Sequence, residues 1–158
     1  MTPLSQAQLM QHVRQRLDLL VCDESGQNPE GVAIYTLSDP RVVRDVRYVG
    51  QTRSPRRRFL QHVNAARLWL PGEDDAAWWI RLPRQRPLYR WIRELHRDDY
   101  RLPAMVVTQW VDEKLARSTE RNHIELCLGR RSALLNFEAE LAARQLPLDL
   151  HPLAGQKR

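Results

Sequence analysis

The hydrophobic positions near the start of the chain recur at helical spacing. Residues 5–21 carry apolar side chains about one helical turn apart, namely Leu9, Val13, Leu17 and Leu20. This spacing predicts an amphipathic helix, and Ser5 is suited to cap its first turn. Residues 23–31 are rich in Gly, Pro, Asn and acidic side chains, which predicts a loop.

Three later segments have the composition of β-strands. The runs 32–37 and 46–52 are rich in β-branched and aromatic residues, and a Ser-Asp-Pro break lies after the first. Two short strands joined in this way predict an antiparallel hairpin. Residues 102–111, with several Val and a Trp, predict a third strand.

Helical patterns fill the segments after the hairpin. Ser54 and Pro55 form a typical helix start, and this helix is expected to end near residue 70. A second helix follows Pro87, and its core stripe has the spacing i, i+3, i+4, i+7 in Leu88, Trp91, Ile92 and Leu95. A third helix is predicted over 112–128, and a short element over 134–145.

This order of elements predicts an α/β sandwich of the α+β type, built on a small and mainly antiparallel sheet. An N-terminal helix and loop occupy 1–30, the main domain 31–146 and a flexible tail 147–158. The charged, Trp-containing segment 71–85 is interpreted as an irregular insertion. One core is expected for a chain of 158 residues.

The charge balance indicates a polyanionic partner. The net charge is +6, and 23 of the 25 basic residues are Arg, since only Lys114 and Lys157 are lysines. A basic surface attracts nucleic acid, and the planar Arg fork matches phosphate oxygens. The competing interpretation is that the Arg content reflects genome composition.

Composition also indicates the compartment. No apolar run approaches the roughly 20 residues that span a bilayer, and the first residues do not resemble a signal peptide. Cys22 and Cys127 lack metal-type spacing, so we expect free thiols in a cytoplasmic protein with no membrane partner.

Glu120 is the charged residue whose position is hardest to explain as that of an ordinary solvent-exposed side chain. On the predicted helix over 112–128 it lies one turn from both Ala116 and Ile124, inside the apolar arc. An inward carboxylate is costly unless it is paired or bound to a metal. The sequence leaves both a salt bridge to Arg and a metal site open.

Two tyrosines and a helical pair complete the candidate chemistry. Tyr35 and Tyr48 lie in the neighbouring predicted strands, while Arg58 and His62 are one helical turn apart and share a face. Gly50, at a strand end, allows close backbone approach by a ligand or makes a turn. Half-buried packing of the tyrosines and a solvated helix flank are the alternatives.

Arginines on the second predicted helix define a possible phosphate-contacting stripe on the face opposite the core. They follow helical spacing at Arg86, Arg90, Arg93 and Arg97. A solvated face is the alternative interpretation. Arg53 and Arg57, next to the end of the hairpin, are added as candidate nucleic-acid contacts.

The ordered set of tyrosine tripeptides and polar residues resembles the GIY-YIG endonuclease family. It consists of Ala-Ile-Tyr at 33–35, Tyr-Val-Gly-Gln-Thr at 48–52, Arg58, His62, Glu120 and Leu-Asn at 135–136. The resemblance covers roughly 31–138. Ala33 stands where the family usually has Gly, and Val49 where it has Ile, and both tyrosines remain in place.

The resemblance implies a three-stranded antiparallel sheet flanked by helices and the cleavage of DNA with one divalent metal, Mg²⁺ or in its place Mn²⁺. Glu120 would hold the metal, and Arg58 would stabilise the phosphate. Tyr35 would be the general base, with its phenolate favoured by nearby positive charge, although a metal-bound hydroxide is the open alternative. Tyr48 and His62 would orient water or assist proton transfer, and Asn136 would support the site.

The sequence is also compatible with two other functions. One is a nucleic-acid-binding module that kept the fold and lost catalysis. The other is a protein-interaction adaptor that uses the N-terminal helix and the Trp-rich insertion. Repair, restriction, homing and toxin roles are not distinguished, and cutting both strands would require a homodimer or two encounters.

Overall fold

The computed structural model describes residues 4–70, 86–130 and 132–136. These residues form an α+β fold of five helices and four strands. The helices are α1 (Gln6–Gln15), α2 (Leu17–Leu20), α3 (Pro55–Ala65), α4 (Arg86–Asp99) and α5 (Glu113–Gly129); the strands are β1 (Val21–Asp23), β2 (Val32–Ser38), β3 (Val46–Thr52) and β4 (Ala104–Val111). The predicted insertion at 71–85, the element beyond 136 and the tail lie outside the described residues.

The sheet has the strand order β1-β4-β2-β3. Strand β2 pairs antiparallel with both β3 and β4, which confirms the predicted hairpin and third strand. The fourth strand, β1, pairs parallel with β4 and places Val21 opposite Met105. The sheet is therefore four-stranded and mixed, and the expectation of three antiparallel strands is wrong in this detail.

The fourth strand begins at Val21, the last residue of the segment 5–21 that the helical spacing assigned to a single helix, and extends into the predicted loop. The helix is interrupted at Arg16, whose φ of −108° and ψ of 5° are not helical, and only the one-turn α2 follows. The β-branched Val21 then enters an extended conformation beside β4. Pairing satisfies the backbone groups of β1, and tertiary contact thus overrides the helical periodicity.

Helices cover both faces of the sheet. On one face, Tyr35 and Leu37 pack into the larger core with residues of α1, α3 and α4. The predicted stripe of α4 is buried there, and so is the face of α3 that carries Phe59 and Val63. On the other face α5 packs its Ile124 into a smaller core.

Helices α1 and α2 are both linked to α3 by side-chain hydrogen bonds. Gln6 Nε2, at the start of α1, donates to Asn64 Oδ1 near the end of α3 at 2.9 Å, and Arg56 Nη1, at the start of α3, donates to Asp18 Oδ1 of α2 at 2.5 Å, so α1 lies antiparallel to α3. Ser5 caps α1 as predicted, in a capping box with Gln8. The N-terminal helix is thus held against the helix that carries Arg58 and His62.

Arg93 is not part of an exposed stripe, contrary to the sequence expectation. Its side chain is buried, and its guanidinium donates to three main-chain carbonyls, that of the α3 C-cap Ala66 and those of Arg67 and Leu70 in the turn after the helix. Buried carbonyls need hydrogen-bond donors, and Arg93 supplies them where α3 ends. Arg97 is exposed and Arg90 half-buried, while the side chain of Arg86 lies outside the described part.

The cysteines and the lengths of the helices bear on two expectations drawn from composition. Both cysteines are free thiols, with Cys22 exposed and Cys127 buried, as predicted. Within 4–70, 86–130 and 132–136, none of the helices has the length and apolar character needed to cross a bilayer.

Candidate active site

The predicted catalytic residues lie around strand β3, which is one of the two edge strands of the described sheet. Tyr35 on β2 lies opposite Gly50 on β3. A Cβ built at Gly50 would overlap Tyr35 Oη, so the phenol crosses directly over the glycine. Tyr35 is therefore the group that approaches the backbone at position 50. Its phenol accounts for the absence of a side chain there, so a ligand close to Gly50 is not required.

Tyr35 forms a buried pair with His62 of α3. Tyr35 Oη and His62 Nε2 are 2.7 Å apart, and the two residues are 0% and 1% exposed. Burial and the nearby charge of Arg58 lower the pKa of His62 to about 3, so the imidazole is neutral at physiological pH. Its Nδ1 has no hydrogen-bond partner among the described residues.

The phenol of Tyr35 is held in its protonated form. Burial, with a further contribution from Tyr48, raises the pKa of Tyr35 far above its ordinary value, and the opposing effect of Arg58 is smaller. Arg58 does lower this pKa, as expected from the sequence, but burial outweighs its effect in the protein without ligands. Loss of hydration destabilises the phenolate of Tyr35 by more than the positive charge of Arg58 stabilises it.

Three phenols lie close enough to the Arg58 guanidinium to affect its pKa. Burial alone would lower the pKa of Arg58, but the phenols of Tyr35, Tyr48 and Tyr89 outweigh it and the pKa is raised. Arg58 is half-buried and also donates from Nη1 to Gln61 Oε1 at 3.3 Å. Tyr89, on α4, was not predicted; it lies beside the core stripe and resembles an ordinary packing residue in the sequence.

The Tyr48 ring packs against the buried pair. Its centroid lies 6.2 Å from that of Tyr35 and 5.5 Å from that of His62, the latter in an edge-to-face arrangement. Tyr48 is half-buried, so unlike Tyr35 it reaches solvent. The two tyrosines of the motif therefore differ in what they can contact.

Glu120 reaches the same strand edge from the opposite face of the sheet. Its Oε2 accepts a hydrogen bond from Gln51 Nε2 at 2.5 Å, and Gln51 follows Gly50 on β3. Successive strand residues point to opposite faces, so Tyr35 lies over one side of this edge and Glu120 on the other. The charge of Glu120 nevertheless acts on Tyr35 and raises its pKa. Gln51 was in the motif, but no role was predicted for it.

Asn136 fixes the outer side of β3. Its Oδ1 accepts from Val49 N at 2.9 Å and its Nδ2 donates to Val49 O at 2.6 Å, while Leu135 N donates to Arg47 O at 2.6 Å. Val49 lies between Tyr48 and Gly50, so the buried amide holds the strand at the centre of the site. This geometry fits the predicted supporting role.

The candidate site thus has two layers. Half-buried side chains form the outer layer, namely Tyr48, Gln51, Arg58 and Glu120. Buried side chains form the layer beneath it, namely Tyr35, His62 and Asn136. All six predicted catalytic residues are in this region.

The predicted DNA contacts are more dispersed than the catalytic residues. Arg53 is exposed and forms an ion pair with Glu113, so a phosphate would compete with that carboxylate. Arg57 is exposed on α3. Arg93 is buried as the donor to the end of α3 and does not face solvent.

The oxygen donors at this edge are compatible with a hydrated hard cation. Glu120 supplies a half-buried carboxylate, and the amide of Gln51 lies against it. Mg²⁺ is commonly bound through one or two carboxylates and keeps several waters. The described residues contain no cluster of three or more His, Cys, Asp or Glu side chains that could hold a metal.

Comparison of the chain with protein-family models, with curated proteins and with solved structures gives no match. The resemblance to the GIY-YIG family therefore rests on the motif residues named above. Their spatial grouping at one strand edge is an observation independent of that motif.

Replacing Gly50 by Ala is predicted to disrupt the buried pair. The added Cβ would overlap the Tyr35 phenol and force it away from His62, so the free energy of unfolding should fall by about 1–3 kcal/mol. Urea unfolding of Gly129→Ala is the matched control, because a Cβ there meets nothing within 4 Å. Equal stability of both variants and the wild type would show that the phenol does not cross Gly50.

His62 is predicted to make stability depend on pH. Its pKa is 6.5 in the unfolded chain and about 3 in the fold, so the unfolded chain binds the extra proton between these values. The free energy of unfolding should therefore fall as the pH is lowered from 6.5 towards 3, by up to about 1.4 kcal/mol per pH unit.

The His62→Gln variant should lose this part of the pH dependence when urea unfolding is followed from pH 4 to pH 7. His12→Gln, an exposed substitution on α1, controls for the change of side-chain type. A His62→Gln variant with the slope of the wild type would contradict a neutral buried imidazole.

Proposed function

We propose that the protein is a divalent-metal-dependent endonuclease that hydrolyses DNA phosphodiester bonds at the Gly50–Gln51 edge of β3. One observation carries this proposal: a cationic guanidinium, a solvent-reaching phenol and a carboxylate converge on one strand edge from two faces of the sheet. The resemblance of the motif to the GIY-YIG family supports the same reaction.

Charge neutralisation is the main requirement of this reaction, because an anionic phosphodiester repels nucleophiles. Arg58 is suited to the task, since its forked N–H groups match two phosphate oxygens and its raised pKa leaves it cationic at physiological pH. Partial burial strengthens its attraction to a phosphate relative to a fully solvated guanidinium.

Glu120 is the proposed metal ligand, with Gln51 as its neighbour. A hydrated Mg²⁺ held there would supply positive charge that polarises the scissile phosphate. The hydrogen bond from Gln51 orients the carboxylate at the strand edge, as partners of metal-binding carboxylates commonly do. Mn²⁺ has similar ligand preferences and is expected to substitute.

The roles of the two tyrosines differ from those implied by the resemblance alone. Tyr35 is buried and its pKa is raised, which argues against its phenolate as the general base. Tyr35 and His62 instead act as positioning residues that fix the ring of Tyr48 and the guanidinium of Arg58. Tyr48, which reaches solvent, is the phenol that orients the attacking water.

A catalytically inactive DNA-binding module is the second candidate function. Burial of Tyr35 and His62 favours it, because these two residues were predicted to take part in proton transfer and neither reaches the surface. The positive net charge of the chain favours DNA binding in both cases. Cleavage of DNA is therefore the property that distinguishes the two functions.

A plasmid-nicking assay tests the nuclease proposal. Supercoiled DNA should be nicked with Mg²⁺ or Mn²⁺ and remain intact with EDTA. Glu120→Gln keeps the shape of the side chain but removes its charge, and should lower the nicking rate by about 10²- to 10³-fold.

Glu125→Gln is the matched control, since Glu125 is an exposed carboxylate on the same helix, and it should retain the wild-type rate. Wild-type protein that binds DNA and never nicks it would support the binding module instead. A Glu120→Gln variant with full activity would show that the metal is held elsewhere.

A further inference from the structure

A cationic groove runs between α1 and α3, and its α1 side lies outside the part of the chain that carries the family resemblance. It has a volume of ≈ 590 Å³, and we call it the α1–α3 groove. The described residues that line it include Arg14 and Arg57, the amides of Gln6, Gln61 and Asn64, and an apolar floor of Ala7, Met10 and Leu60. Its described lining contains positive charge and hydrogen-bond donors but no carboxylate.

The two arginines of the α1–α3 groove come from different helices and have no partner within the described part of the chain. The antiparallel helix pair is pinned at one end by Gln6 and Asn64, which also line the groove. Two positive charges beside one groove repel each other, and an anion bound between them would offset this repulsion. The pinned helices therefore present a preformed anion site.

Arg57 differs from the arginines on either side of it. Arg56 is engaged with Asp18, and Arg58 donates to Gln61 in addition to its contacts with the phenols. Arg57 makes no hydrogen bond or ion pair in the described ranges, and it is exposed. It is therefore free to bind a ligand without breaking an existing contact among these residues.

A second cavity, of ≈ 630 Å³ beside the end of β3, has the opposite electrostatic character. Its described lining includes three carboxylates, those of Glu30, Asp112 and Glu113, whereas its described cation, Arg53, is already paired with Glu113. A phosphate would be repelled there. The charge distribution thus favours the α1–α3 side for a polyanion.

The α1–α3 groove is continuous with the candidate active site through Gln61. This side chain lines the groove and accepts the hydrogen bond from Arg58. An extended anionic chain lying in the groove would therefore pass from Arg57 to Arg58 along one helix. A sugar-phosphate backbone has this form, with regularly spaced charges and sugars suited to the apolar floor.

We propose that the α1–α3 groove binds the sugar-phosphate backbone of DNA beside the scissile phosphate, with Arg14 and Arg57 contacting phosphate. This inference rests on the proposed function and extends it, because it assigns a DNA-binding role to the N-terminal helix. The contacts are to phosphate, so they add affinity and orientation without reading the base sequence.

The experiment measures binding of a fluorescein-labelled 20-base-pair duplex by anisotropy over a series of salt concentrations, with Ca²⁺ in place of Mg²⁺. The Arg14→Ala/Arg57→Ala variant should bind about tenfold more weakly. The slope of log affinity against log salt should also decrease in magnitude by about 2, because two phosphate contacts are lost.

Arg16→Ala/Arg121→Ala is the matched control, with the same change in net charge at two exposed positions outside the groove. It should stay within about twofold of the wild type, with an unchanged salt slope. Equal losses in both double variants, or wild-type binding by Arg14→Ala/Arg57→Ala, would overturn the groove proposal. Arg14→Gln/Arg57→Gln, with a thermal unfolding curve, replaces the Ala variant if that variant fails to fold.

Nicking by the same proteins separates this inference from the proposed function. Groove-dependent binding by a wild type that never nicks would support the groove and refute the nuclease. Nicking by the wild type and by Arg14→Ala/Arg57→Ala at equal rates and affinities would refute the groove and support the nuclease.

Discussion

The passage of the Tyr35 phenol over Gly50 is the contact on which the candidate site depends. It allows the phenol to meet His62 at 2.7 Å inside the core, and no residue with a Cβ could occupy position 50 without displacing it. The pair then packs against Tyr48, and its phenol raises the pKa of Arg58. On the outer side of β3, the buried Asn136 holds Val49 and so keeps the glycine in place.

Burial divides the polar residues into supporting and accessible groups. Desolvation keeps His62 neutral and Tyr35 protonated, so neither carries the charge that phosphate chemistry requires. Arg58 and Glu120, at the half-buried rim, carry it instead. This separation resembles the general design of catalytic sites, in which packed neighbours orient the groups that contact the substrate. In the proposed nuclease, Tyr35 would accordingly serve the geometry of the site without acting as a base.

Periodicity predicted the parts of the fold in which local pattern and tertiary contact agree. The stripe of α4 is an example, because its apolar spacing matches the face that is buried. The hairpin and the start of α3 were predicted from strand composition and from Ser54 and Pro55, and both form where predicted. The pattern failed at β1, where pairing with β4 decides the conformation, and at Arg93, whose long side chain reaches the end of another helix. The spacing of the motif selected Tyr35, Arg58 and His62, and helical periodicity selected Glu120, as the candidate residues that the fold brings to one region. The hydrogen bond from Gln51 to the carboxylate and the effect of Tyr89 on Arg58 depend on tertiary contacts that local spacing does not encode.

Anomalous diffraction from crystals grown with Mn²⁺ and a short DNA duplex tests the central claim most directly. The account predicts a Mn²⁺ peak at the Glu120 carboxylate and a backbone phosphate between this ion and Arg58, with Tyr35 still over Gly50. A peak at another carboxylate, or a phosphate bound away from the β3 edge, would contradict it.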